Sequence, residues 1–185
     1  AASEEEILDR LLSAVDRQTG ASRSSLMLFD PQEECMRIAA ARSMDAVLIQ
    51  SIRQQPGDQI AGWVFQQGKP VILNKEDQEE SIFFPLLQQP DVVSSISFPL
   101  RICDRIIGVL NISQKQIDER FSEADNEMLA ILCSQAAVAL ENLRTRQQLT
   151  ATTRTRTLFE QYVAPEVAEL LVAQHADLME LGEIK

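Results

Sequence analysis

At 185 residues, with 45% hydrophobic and 24% charged side chains, the chain has the length and balance of one globular domain with an appendage, which excludes wholesale disorder and leaves no comfortable room for a second full domain. The formal charge of -11 sets nucleic acid aside as the main partner, because phosphate binding needs a basic face, although a small anion could still occupy a local pocket. Cys35, Cys103 and Cys133 are odd in number and far apart, with no CxxC pair, so free buried thiols are expected rather than a disulfide framework or a zinc site.

Ser3 with Glu6 forms a capping-box pattern, and Ile7, Leu8, Leu11, Leu12 and Val15 follow at helical spacing up to a stop near Gly20. Ser24 to Asp30 and Cys35 to Ala41 read as a hairpin around Asp30-Pro31. A short helix is predicted over Ala46 to Ile52, closed by Gln54-Gln55-Pro56-Gly57. A second helix carries Ile60, Ala61, Val64 and Phe65, ends at Gly68, and leads through Pro70 into a strand reaching Leu73. The stretch from Asn74 to Pro90 is rich in Glu and Gln, longer than most internal connections, and is expected to be a ligand loop. Val93 to Leu100 and Ile106 to Ser113 are strong strands joined by a tight link, Arg101 to Arg105. The order of elements predicts an α+β fold with a central antiparallel sheet.

The longest element runs from Phe121 to Leu149, with Ser122 as its N-cap and Glu123 and Asp125 in its first turn. Leu129, Leu132, Ala136, Ala139 and Leu143 recur at alternating spacings of three and four, the pattern of a coiled-coil or bundle seam, and we expect this stripe to meet a second copy in parallel, the alternative being an ordinary core helix, since only about two heptads are clean. Met128, Ile131, Val138 and Leu140 lie off the stripe, so the helix needs cover on two sides, one of them its own domain. Beyond it, Arg144 to Thr157 is too polar to be a buried face and reads as a solvated helical connector. Leu158 to Lys185 regains an apolar stripe at Val167, Leu170, Leu171 and Leu178, with Pro165 in its first turn.

The runs PGDQIAGWVFQQGKPVIL, ISFPLRICDRIIGVLNIS and FSEADNEMLAILCSQAAVALEN resemble, in this order, signature segments of GAF domains. The resemblance covers roughly residues 3–143. It implies terminal helices on one sheet face, a small-molecule pocket on the other, a long C-terminal signalling helix, and a sensory rather than catalytic role. The stretch LFEQYVAPEVAELLV, Leu158 to Val172, is similar to the connector preceding class III adenylate and guanylate cyclase catalytic domains. This resemblance implies a cyclase parent whose core would begin beyond residue 185, with residues 144–157 as connector and 158–185 as coupling segment.

GAF domains that bind cyclic nucleotides carry an Asn-Lys pair, then Phe, three residues and Asp-Glu. The aligned Lys115, Phe121 and Asp125 match, whereas Gln114 and Asn126 depart, so the resemblance implies that Lys115 pairs with Asp125 while leaving the nucleotide in doubt. Asn74-Lys75 spells the dipeptide by coincidence, ahead of the long loop. The expected ligand-binding side chains are Trp63, Phe83, Phe84, Ile96 and Phe98, which a core would use equally well. The single histidine, His175, lies outside the region of resemblance, no Cys-His dipeptide occurs, and no cluster has metal-ligand spacing, so no metal, haem, bilin or other cofactor is expected. No run approaches the ~18 apolar residues of a membrane span, and the acidic start ASEEEILDR lacks a signal peptide's basic residues, which together predict a cytoplasmic fragment. The function expected is a sensory module of a nucleotide cyclase, homodimeric through its C-terminal helix. The rivals are a ligand-free dimerisation module and a methionine sulfoxide reductase, the latter needing reactive cysteines in the pocket.

Overall fold

The computed structural model describes residues 2–74, 82–83, 94–114 and 120–162. Helix α1 (Glu4–Thr19) opens on the capping box: Ser3 accepts the Glu6 N–H while the Glu6 carboxylate accepts the Ser3 N–H. It closes on Gly20 in the left-handed region, φ 64°. Strands β1 (Arg23–Asp30) and β2 (Cys35–Arg42) form the expected hairpin. Helix α2 (Ala46–Ser51) follows, capped by the Asp45 carboxylate, and then β3 (Arg53–Gln54), a two-residue strand too short to leave a periodic trace in the sequence. Helix α3 (Gln59–Gln67) ends at Gly68 with φ 65°, and β4 is Val71–Asn74.

Strands β5 (Ser94–Ile102) and β6 (Arg105–Gln114) pair along their length. Their turn is tighter than the expected link: only Cys103 and Asp104 separate the paired residues Ile102 and Arg105, and Cys103 takes φ 50° at the first of the two. Leu100 pairs with Gly108 and Arg101 with Ile106, so Ile107 is the extra residue of a bulge and turns to the face occupied by Leu110 and Ile112. Gly108 is required where β6 crosses β1, because a Cβ there would run into the Met27 carbonyl.

The six strands order as β3-β2-β1-β6-β5-β4, with every pairing antiparallel. Two cores lie on opposite faces. One combines Leu8, Leu11, Leu12 and Val15 of α1 with the inner faces of β1, β5 and β6 and with the start of α4. The other gathers Met27, Met36, Val71, Leu73 and Val109 under Ala61 and Val64 of α3. Arg42 fastens β2 to α1, donating to the Asp9 carboxylate and the Ser13 hydroxyl, each at 2.6 Å.

Helix α4 is Glu123–Tyr162, continuous past the expected end at Leu149. Compact units divide after Leu143: Ala1–Leu143 holds the sheet and its layers, and the second unit begins at Arg144. From Thr150 to Thr157 the threonine hydroxyls donate to carbonyls four residues back, so this exposed stretch satisfies its side chains on its own helix. Among the described residues no helix is long and apolar enough to cross a membrane.

The stripe expected to meet a second copy is divided by the packing of this chain. Leu129 and Ala136 are buried in the molecule's own core beside Cys133, Ala137 and Leu140, with Leu132 against its edge and Ala139 and Leu143 half-buried. The large apolar residues of α4 left outward are Ile131, Val138 and Leu149, 60%, 51% and 64% exposed. A long helix drifts against a seven-residue repeat, and the strongest spacing marked the face seated on the sheet.

Candidate functional site

Helix α3 covers β5 and β6, and its Gly62 admits the close approach of the loop that precedes the helix. A Cβ at that position would lie 2.5 Å from the Gln55 carbonyl oxygen, while the Gly62 carbonyl accepts the Gly57 N–H at 2.9 Å. Trp63 and Phe83 meet edge to face at 4.8 Å between ring centroids, and Phe29 stacks on Phe65 at 4.8 Å.

Strand alternation sets which side chains share this face. Met27 and Val109 belong to the α3 core, so Arg23 and Ser25 on β1, and Asn111 and Ser113 on β6, stand on the same side as they do. On β5 the matching residues are Ser95 and Ser97, and on β4 they are Val71 and Leu73. Two rows result: Ser25, Asn111, Ser97 and Val71 in one, Arg23, Ser113, Ser95 and Leu73 in the next. Ser25 and Ser97 are buried, and the Ser97 hydroxyl donates to Asn111 Oδ1 at 2.7 Å. The face is thus apolar and aromatic around α3 and polar beyond it, the composition of a small-molecule site.

Of the side chains expected there, Trp63 and Phe83 do meet on this face. Ile96 and Phe98 do not: Ile96 is fully buried on the opposite face and Phe98 packs against that same helical core. The even-numbered residues of β5 point to α1 and α4, and the serines between them point to α3. Phe84 and Lys115 lie outside the described residues, as do His175 and the segment after Tyr162. The polar rows leave one local signal in the sequence, the alternation SISF in β5, with serine at every second position.

Phe121 is buried in the helical core rather than on the α3 face. The Asp125 carboxylate caps the start of α4, accepting the Ser122 N–H at 2.7 Å and its hydroxyl at 2.8 Å, while the Asp125 N–H donates to Ser122 Oγ at 3.3 Å. Asn74, buried at the end of β4, joins this junction from the sheet. Its Oδ1 accepts the Phe121 N–H at 3.1 Å and its Nδ2 donates to the Phe121 carbonyl at 3.2 Å.

The thiols do not converge. Cys133 sits in the helical core, where burial pushes its pKa up to about 12. Cys35, buried at the start of β2, has its pKa raised by burial and by the neighbouring Glu33 carboxylate. Cys103 is exposed at the hairpin turn, contrary to the expectation of burial, because the two-residue turn leaves no layer to cover it. Among the described residues no group of His, Cys, Asp and Glu could hold a metal ion.

The family model for the GAF domain matches residues 1–141. Solved structures agree with it in fold. The chain is similar to the GAF domain of the Acinetobacter phosphoenolpyruvate-protein phosphotransferase, with 22% identity, 78% of this chain and 86% of that chain covered, and a TM-score of 0.68. It is similar to the GAF domain of a phosphoenolpyruvate-protein phosphotransferase from Coxiella burnetii, at 18% identity, 80% and 88% coverage, and a TM-score of 0.68. The second GAF domain of DevS from Mycobacterium smegmatis gives 20% identity, 80% and 99% coverage, and a TM-score of 0.65. No curated protein matches the chain.

Proposed function

The chain belongs to the GAF domain family, and from that premise we propose that it is the sensory module of a signalling protein, binding a small molecule on the α3 face and relaying it to α4. The observation that carries this reading is the polar double row on a sheet face that is otherwise apolar and flanked by the Trp63–Phe83 pair. On the helical face Ser24 donates its hydroxyl to the Asp16 carboxylate, whereas the hydroxyls of Ser25, Ser95 and Ser113 on the α3 face have no partner among the described residues. Asn74 supports the relay: it ends the strand whose Val71 and Leu73 border the site, and it grips the residue two before α4 begins. Asp125 serves the cap of the same helix, so the signature residues Phe121 and Asp125 act on this junction, and cyclic nucleotides remain members of the ligand set to be tested.

The output is proposed to be a class III nucleotide cyclase, on the resemblance of LFEQYVAPEVAELLV alone. Two copies would pair in parallel through the outward face of α4 at Ile131 and Val138, the exposed apolar residues of its domain-proximal half. Catalysis would belong to the parent's output domain. The rival, a ligand-free dimerisation module, draws on the same face being partly filled by Met27, Met36, Val64 and Val109.

A thermal-shift screen with cyclic AMP, cyclic GMP and common metabolites, followed by tryptophan emission from Trp63, tests the sensor. A ligand of the folded state raises its apparent stability, by about 2.7 kcal/mol at a hundredfold excess over Kd. A compound that shifts the midpoint and the emission together supports the α3 face; binding that leaves Trp63 emission unchanged places the ligand elsewhere. The double variant Ile131→Glu/Val138→Glu is expected to stay folded and become monomeric by light scattering, and a persisting dimer rejects that contact. A parent reading frame that continues past residue 185 into another output domain rejects the cyclase while leaving the sensor intact.

A further inference from the structure

The two polar rows carry one cation and several neutral hydrogen-bonding groups and no anion. Arg23 contributes a guanidinium, and Ser25, Ser95 and Ser113 contribute hydroxyls. Asn111 Oδ1 accepts from the Ser97 hydroxyl, and its amide N–H groups have no partner among the described residues. No carboxylate stands in either row.

Arg23 is the outlier among the arginines of the sheet. Arg37, Arg42, Arg53 and Arg105 each end on a carboxylate, and Arg101 donates to the Gly68 carbonyl at 2.8 Å. Arg23, half-buried at the start of β1 and paired in register with Ser113, has no hydrogen-bond or ion-pair partner among the described residues. Acidic partners are not scarce in a chain with 28 Asp and Glu. The neighbouring Ser25 is 8% exposed, and its hydroxyl, without a partner among the described residues, is not sealed from solvent. Both groups therefore stand open to this face and uncommitted within the described chain, available to an acceptor from outside.

We infer that this face recognises a small anion, a carboxylate or a phosphate group, with Arg23 holding the charge and Ser25, Asn111 and Ser113 completing the shell. The inference rests on the reading of the α3 face as a ligand surface and adds the chemical class of what it takes. A planar guanidinium beside hydroxyl and amide donors suits the oxygens of either group. The acidity of the chain as a whole disfavours anions elsewhere, which makes this local exception selective.

The test is an amide NMR titration of the full chain with three probes at matched ionic strength: succinate, inorganic phosphate and neutral succinamide. Shifts from succinate or phosphate should cluster at Ser25, Ser97, Asn111 and Ser113, and the stronger of the two arms identifies carboxylate or phosphate as the preferred group. Arg23→Gln, which removes no internal contact, should weaken that anion about tenfold or more, while Arg10→Gln on the exposed face of α1 should leave it unchanged. If succinamide moves the same amides and Arg23→Gln binds all three probes like the wild type, the anion inference is overturned and the ligand surface stands. If no probe moves an amide on this face, both are rejected.

Discussion

The two faces of the sheet share strands but not chemistry. Toward α1 and α4 the strands present Leu26, Leu28, Ile96, Leu100, Leu110 and Ile112, all buried against helices that contribute more leucine. Toward α3 the same strands present Met27 and Val109, then Ser25, Ser97 and Asn111. A face closed by aliphatic packing can hold the domain together, and a face with hydroxyls and an amide at its centre can bind. The division leaves the helical face closed by packing and the α3 face as the one proposed to bind.

Truncation should show this asymmetry most strongly. Leu129→Ala removes a fully buried side chain between α4 and the sheet and is expected to cost ~2–5 kcal/mol in denaturant unfolding. Ser97→Ala, on the other face, should cost no more than ~1.5 kcal/mol, since it removes one part-buried hydrogen bond between neutral groups. Equal losses would break the comparison.

The alkaline limb of stability is the next largest effect. Cys133 stays protonated in the fold to about pH 12, while unfolded thiols ionise near their ordinary value of about 9. The folded pKa is the raised one, so its contribution is complete below about pH 9 and is lost as pH rises toward 12, at ~1.4 kcal/mol per unit. Cys133→Ala should flatten that slope in unfolding measured from pH 8 to 11. Native maleimide labelling should modify Cys103 first, with Cys35 and Cys133 protected by burial.

Where the faces meet, Asn74→Ala should cost ~1–3 kcal/mol, because it strands the buried N–H and carbonyl of Phe121. If the relay is as proposed, the same variant keeps ligand affinity while hydrogen exchange at the start of α4 no longer responds to ligand. Retained coupling would assign Asn74 a structural role alone. The smallest effect is expected at the hairpin tip: Cys103→Gly relieves a positive φ and should raise stability by ~1 kcal/mol or less.

Local chemistry made much of this legible before any packing was known. The capping box at Ser3, the glycine stops at Gly20 and Gly68, and the alternation in β5 and β6 act over a few residues, and each element stands within a residue or two of where its pattern put it. The sheet register did not follow from such signals. Ile96 and Phe98 were expected at the ligand site because they are apolar, yet a strand's two faces differ only by parity, and the partner of each face is set by helices distant in the chain. The α4 stripe posed the same problem: spacing announces an apolar face, and only packing decides whether the sheet or a second copy covers it. The sequence by itself determined the α+β class, the hairpins and the helix ends, because those depend on neighbours along the chain. Tertiary structure alone brought Arg23, Ser25, Ser97 and Asn111 onto one surface, since a site is a contact among strands that the sequence keeps up to about ninety residues apart.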